Sequence, residues 1–188
     1  VRRQLEPTDD GTAAGDVEPE PEDVARAICL RLLTGAPRTR AELATAMRKK
    51  GVPPEVADRV LQRFADVNLV DDAAYAASFV ESKHRERGLA RPALKAELRR
   101  KGVDAETAQA AVELLDPADE EASARALVAR RLRSMSNVEP DAAIRRLVGM
   151  LARKGYPGGL AYRVVREALA DELSEARDLA LRREDDGS

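Results

Sequence analysis

The sequence predicts an all-α fold: an elongated, curved tandem array of three three-helix repeats, each a helix-turn-helix-like unit. Composition is the first observation behind this. Ala and Leu dominate a hydrophobic fraction of 44%, while aromatic residues make up 3%, and alanine costs least of all residues in a helix interior. A recurring turn is the second: Lys50-Gly51-Val52, Lys101-Gly102-Val103 and Lys154-Gly155-Tyr156 each close a helical run. The third is register. Counted back from those glycines, Leu43, Leu94 and Leu147 coincide, as do Met47, Leu98 and Leu151, Ile28, Phe79 and Leu132, and Val24, Tyr75 and Val128. A period near fifty residues marks one supersecondary unit repeated, with neighbouring units expected to bury each other's apolar faces.

Residues 1–22, rich in Pro, Gly and acids, hold too little apolar surface to order themselves and are expected to form a disordered acidic tail. The first repeat is expected over 23–68. Its first helix spans about Asp23 to Thr34, with Val24, Ile28 and Leu32 on one face, and Gly35-Ala36-Pro37 ends it. Thr39 and Glu42 form a capping box for the second helix, which Gly51 closes in the left-handed role. Pro53-Pro54 opens the third, whose buried stripe is Val56, Val60, Leu61 and Phe64.

The second repeat, 69–116, starts with a helix from Asp72 to Arg87 entered through an Asp71-Asp72 cap and ended by Gly88. A helix from about Arg91 to Lys101 and a third from the Asp104 cap to about Leu115 follow, and Asp116-Pro117 breaks the chain. The third repeat, 117–183, is expected to run from Ala118 to Ser134, Asp141 to Lys154, and Gly159 to about Arg183, since Leu169, Leu173, Ala176 and Ala180 keep helical spacing. Residues 184–188 are expected to be a disordered C-terminus.

No enzyme constellation can be assembled. His84 is the one histidine and Cys29 the one cysteine, so nucleophile–base pairs and zinc-ligand sets lack members, and a disulfide is excluded. No Gly-rich loop precedes a Lys-Ser or Lys-Thr pair, and no cofactor is implied. Asp71-Asp72 could join a carboxylate cluster around a metal, but a helix N-cap explains it better. His84, among Lys83, Arg85 and Arg87, is expected on the surface. No run of apolar residues is long enough to span a membrane, and a reducing cytoplasm fits the cysteine usage.

What remains is cationic. The net charge of -2 hides an acidic N-terminus and a mildly basic body, in which arginine strongly outnumbers lysine. Lys83, His84, Arg85, Arg87, Arg91, Lys95, Arg99, Arg100 and Lys101 lie close together in sequence, opposed by Glu86 and Glu97, and Arg125, Arg130, Arg131 and Arg133 form a second cluster. Such groups suit a phosphate polymer, with salt-sensitive binding largely blind to sequence. The repeated Lys-Gly turns have a plainer explanation, cations at helix C-termini.

Stacking on single-stranded nucleic acid is disfavoured, because Tyr75, Phe79, Tyr156 and Phe64 align with aliphatic core positions and Tyr162 alone looks exposed. Operator reading is disfavoured too: the helix that would enter a groove starts with Glu55 and Asp58 in one repeat and Asp104 and Glu106 in the next.

The second repeat carries Asn68-Leu69-Val70-Asp71-Asp72, Tyr75-Ala76, Phe79-Val80, the segment from Arg85 to Gly88, Glu97-Leu98 and Lys101-Gly102-Val103; the first carries Arg38-Thr39-Arg40-Ala41-Glu42-Leu43 and Lys50-Gly51. Through these residues the chain resembles the RecX family of bacterial regulators of the RecA recombinase, over about residues 23–175. Val70 and Ala74 stand where the family often has larger residues, and the acidic tail is outside its pattern. The resemblance implies a monomeric helical protein that binds the RecA filament on single-stranded DNA and suppresses ATP hydrolysis, strand exchange and co-protease activity. Lys83, Arg85, Arg87, Arg91, Lys95, Arg99, Arg100, Lys101, Arg130, Arg131 and Arg133 are the expected contacts to RecA or DNA, single-stranded or double-stranded. The alternative is a basic helical adaptor that acts by competing for DNA.

Overall fold

A computed structural model describes the backbone of residues 20–135 and 138–185, and the side chains of all of these except 176–181 and 183–185. Nine helices and no strand form among the described residues. They are α1 (Pro21–Gly35), α2 (Arg40–Lys49), α3 (Pro54–Asp66), α4 (Asp72–Arg87), α5 (Arg91–Arg100), α6 (Ala105–Glu113), α7 (Pro117–Leu132), α8 (Pro140–Arg153) and α9 (Gly158–Asp185). None is long and apolar enough to cross a membrane.

The helix ends follow from local chemistry. Thr39 Oγ1 accepts from the Glu42 N–H at 3.1 Å while Glu42 accepts from the Thr39 N–H at 3.3 Å, the reciprocal capping box that satisfies two otherwise orphaned donors. Asp71 Oδ1 accepts from the N–H groups of Ala73 and Ala74, both at 2.9 Å, so this carboxylate is committed to the start of α4. The helix boundaries lie within two residues of expectation, and two of them extend a helix into a segment expected as a tail. α1 begins at Pro21, because proline is pre-set for the first helical turn and Glu22 is held by ion pairs to Arg26 and Arg63. α9 continues through Glu184 to Asp185. The rest of the acidic segment expected as a tail, residues 1–19, and the end of the chain, 186–188, lie outside the described residues.

The positions in register form the cores. Leu43, Leu94 and Leu147, with Met47, Leu98 and Leu151, are all fully buried, and truncating a leucine in such a place costs about 2–5 kcal/mol. The cores are separate, however. One gathers Ile28, Leu43, Met47, Leu61 and Phe64, a second Val80, Leu94, Leu98 and Val112, and a third Val128, Leu147, Leu151 and Val164. Every extended helix–helix packing pair falls inside one repeat. The expectation that neighbouring repeats bury each other's apolar faces is therefore corrected: each core is closed almost entirely by its own three helices, and the repeats meet through small, mainly polar joints, with Ala90 of the second repeat buried in the third core.

Candidate functional site

The joints come first, because they decide which cations are free. Between the first and second repeats, Thr39 Oγ1 donates to the Lys101 carbonyl at 2.7 Å, and the Arg40 N–H donates to Asp72 Oδ1 at 2.8 Å. Between the second and third, the Ala90 N–H donates to the Lys154 carbonyl at 2.9 Å, and the Arg91 N–H donates to Glu120 Oε1 at 2.8 Å. Thr39 and Ala90 are both N-cap residues, one residue before Arg40 and Arg91. In each joint the start of a second helix thus sits on the Lys-Gly turn of the next repeat, and a carboxylate from the next repeat's first helix accepts the following N–H. Glycine is required in the turn for two reasons. Gly102 and Gly155 have φ of +83° and +89°, and a Cβ on Gly102 would overlap Ala41, while one on Gly155 would come within 2.7 Å of Ala93.

Lys101 is accordingly part of a joint. Its ammonium lies 3.0 Å from Glu42 and 5.7 and 5.8 Å from the ring centroids of Tyr75 and Phe79. The Tyr75 hydroxyl and then the Glu42 carboxylate hold its pKa above the ordinary lysine range. Lys154 matches it at the second joint, where it donates to the Arg87 carbonyl. Burial, followed by the charges of Arg130 and Arg87, lowers its pKa. Lys154 was absent from the expected contacts, yet it stands with Arg87 and Arg130 in one cationic group. Its register with Lys101 was the available signal.

The expected basic stretch does not form one free positive face. Lys83 pairs with Glu86 at 2.7 Å, Arg85 with Glu81, and Arg87 with Glu97 at 3.0 Å. Lys95 Nζ donates to Gln109 Oε1 at 2.6 Å, tying α5 to α6. Arg91 donates to the Leu115 carbonyl and lies 3.8 Å from Glu120, so its side chain braces the second joint. Arg125 is clamped between Glu121 and Glu167, from α7 to α9.

What stays exposed is a smaller set. Arg99, Arg130, Arg131 and Arg133 have no acidic partner among the described residues, and Arg100 keeps only a 3.7 Å contact to Glu97 with its side chain 74% exposed. These five sit at or just beyond the last turns of α5 and α7. Extended arginines on two repeats, unshielded by acids, can take phosphate oxygens or carboxylates in bidentate fashion.

Other residues depart from expectation as well. His84 is half-buried, its Nδ1 2.9 Å from the Leu89 carbonyl, so it shapes the turn after α4. Tyr75 and Phe79 are half-buried, pack against the edge of the second core and stack on each other at 6.1 Å, as Val24, the counterpart of Tyr75, is half-buried against the first core. Tyr156 is buried and Tyr162 exposed, as their register indicated.

Comparison with known proteins follows this geometry. The chain matches the first three-helix domain of RecX over residues 25–64, the second over 71–112 and the third over 119–165. It is 56% identical over 166 residues to regulatory protein RecX of Thermobifida fusca, covering 87% of this chain and 89% of the relative. The chain belongs to the RecX family. A RecX regulatory protein of Streptomyces coelicolor is 53% identical over 88% of each chain, and that of Mycolicibacterium smegmatis is 46% identical over 94% of this chain and 96% of its own. Among solved structures, RecX from Lactobacillus salivarius superposes with a TM-score of 0.73 at 19% identity, covering 79% of this chain and 96% of that one. That likeness carries the RecX fold alone: three helical units in tandem.

Proposed function

We propose that this chain is a negative regulator of RecA that binds the RecA filament on single-stranded DNA and inhibits its ATPase, strand-exchange and co-protease activities. The observation that carries the proposal is the set of exposed arginines, Arg99, Arg100, Arg130, Arg131 and Arg133, spread over the second and third repeats without acidic shielding among the described residues. Membership of a family of regulatory proteins named RecX supports it. Three cores in tandem give a row of units, each able to contribute a weak contact, and linked weak contacts add through effective concentration. The filament offers such a repeating partner.

Exposed arginines also suit bare DNA, which sustains the second reading, a basic adaptor that competes for DNA. Charge reversal separates the two. Arg99→Glu with Arg100→Glu, and separately Arg130→Glu with Arg131→Glu, should each weaken inhibition of RecA. Under the filament proposal the loss appears even where DNA binding by the protein alone is unmeasurable. Under DNA competition, inhibition and DNA affinity fall together and share one salt dependence.

A further inference from the structure

Between the first and second repeats, beside the joint, lies an open groove of about 360 Å³. Its apolar walls are Leu33, Leu69, Tyr75 and Phe79, and Arg38 stands at its edge. The volume is at the lower end of what small binding sites offer, so it has room for one or two side chains. Leu69 is 52% exposed although it lies on an apolar wall.

The other joint has no equivalent opening at these positions. Counting from the turn glycines, Phe79 corresponds to Leu132 and Tyr75 to Val128, which are 8% and 0% exposed. Arg38 corresponds to Leu89, which is 5% exposed and packed in the core of the second repeat. At that register position the second repeat carries a buried leucine and the first an exposed arginine, and Tyr75 and Phe79 stay half-buried where Val128 and Leu132 are buried.

The charges around the groove select its occupant. Asp71 lines it, but its carboxylate is held by the N–H groups of Ala73 and Ala74. Arg38 has no acidic partner among the described residues, and it also lines an adjoining depression that contains Arg100 and the Lys101–Glu42 ion pair, leaving Arg38 and Arg100 as its net positive charge. An apolar slot therefore continues into a positive surface. The two rings stack on each other and Lys101 lies over both, which leaves little ring face for a nucleobase and favours an aliphatic or aromatic side chain.

We propose that this groove binds an acidic linear peptide of a protein partner, with one apolar side chain seated among Leu33, Leu69, Tyr75 and Phe79 and flanking carboxylates on Arg38 and Arg100. An unstructured segment loses conformational entropy on binding, which the buried side chain and the charge-assisted hydrogen bonds must offset.

The test uses the full chain and a fluorescein-labelled peptide, Asp-Glu-Asp-Phe-Glu-Asp-Glu, read by fluorescence anisotropy without RecA or DNA, so its outcome is independent of the filament proposal. Saturable binding is expected. Replacing the peptide phenylalanine by alanine, Leu69→Asp, and Arg38→Glu should each weaken it roughly tenfold, whereas Arg59→Glu, an equal charge change on α3, should leave it unchanged. Arg38 is exposed in the loop after α1, so its reversal probes the groove without disturbing a core, and circular dichroism reports whether Leu69→Asp keeps its helices. Absence of saturable binding overturns the proposal. So does equal binding of the alanine peptide, or an equal loss with Arg59→Glu, since either would reduce the effect to net charge. Tight binding of a thymidine oligonucleotide that Leu69→Asp abolishes would assign the groove to nucleic acid instead.

Discussion

The Thr39 hydroxyl accepts from the Glu42 N–H and donates to the carbonyl of Lys101, so one buried oxygen both starts α2 and fastens the first repeat to the second. Thr39→Ala removes both bonds and leaves the carbonyl without its donor. The expected cost is about 2 kcal/mol. Thr39→Ser keeps the hydroxyl and should recover most of it. Urea denaturation measures the loss, and amide exchange locates it: Thr39→Ala should speed exchange in the Lys101-Gly102-Val103 turn as well as at the start of α2.

Gly51 and Gly102 occupy the same place in their repeats, with φ of +78° and +83°, but only the second is enclosed. Gly51→Ala meets nothing within 4 Å and should cost only the left-handed backbone penalty, about 1 kcal/mol. Gly102→Ala adds an overlap with Ala41 across the joint and should cost about 2 kcal/mol or more. Equal costs at the two positions would argue that the joint yields freely.

Glu120 is 8% exposed and accepts the Arg91 N–H. Glu120→Gln retains an acceptor oxygen and should lose less than about 1 kcal/mol. Glu120→Ala strands the N–H in a partly buried site and should lose about 1–3 kcal/mol. Faster exchange of the Arg91 amide in Glu120→Ala, but not in Glu120→Gln, would tie the loss to this bond.

The two joint lysines should respond to alkali in opposite senses. Lys101 has its pKa raised above the ordinary 10.5, so its contribution to stability is whole below that value and is lost as pH rises through the folded pKa. Lys154 has its pKa lowered from 10.5, so the folded state disfavours its charged form and gains stability as pH climbs toward that value. Thermal melts of Lys101→Met and Lys154→Met against the parent protein isolate each group from other titrations. The gap between parent and Lys101→Met should narrow above pH 10.5. For Lys154→Met, the parent should gain on the variant in the window below 10.5.

Helices and cores were legible because their signals are local and periodic. The leucines in register are buried, and the capping box at Thr39 and Glu42 forms as its spacing indicates. The joints were not legible. Bonds such as Thr39 to Lys101 or Lys154 to Arg87 connect residues far apart through backbone carbonyls, which carry no side-chain signature. Tyr75 and Phe79 read as core because their counterparts are aliphatic, and they do pack against the second core, but they remain half-buried at its edge, where Val128 and Leu132 are buried in the third.

The basic stretch was readable in part. Lys83 with Glu86 and Arg85 with Glu81 have helical spacing, so their pairing could have been foreseen. Arg87 with Glu97, and Arg91 with Glu120, depend on how helices turn back on one another, and no sequence spacing announces those two pairings.

The measurement that tests the filament proposal most directly is ATP hydrolysis by RecA on single-stranded DNA, with this protein titrated well below the RecA concentration and its binding to the same DNA followed separately. Inhibition at amounts too small to cover the DNA is the predicted result. Inhibition that begins only as the protein saturates the DNA would contradict it and leave competition for DNA as the mechanism.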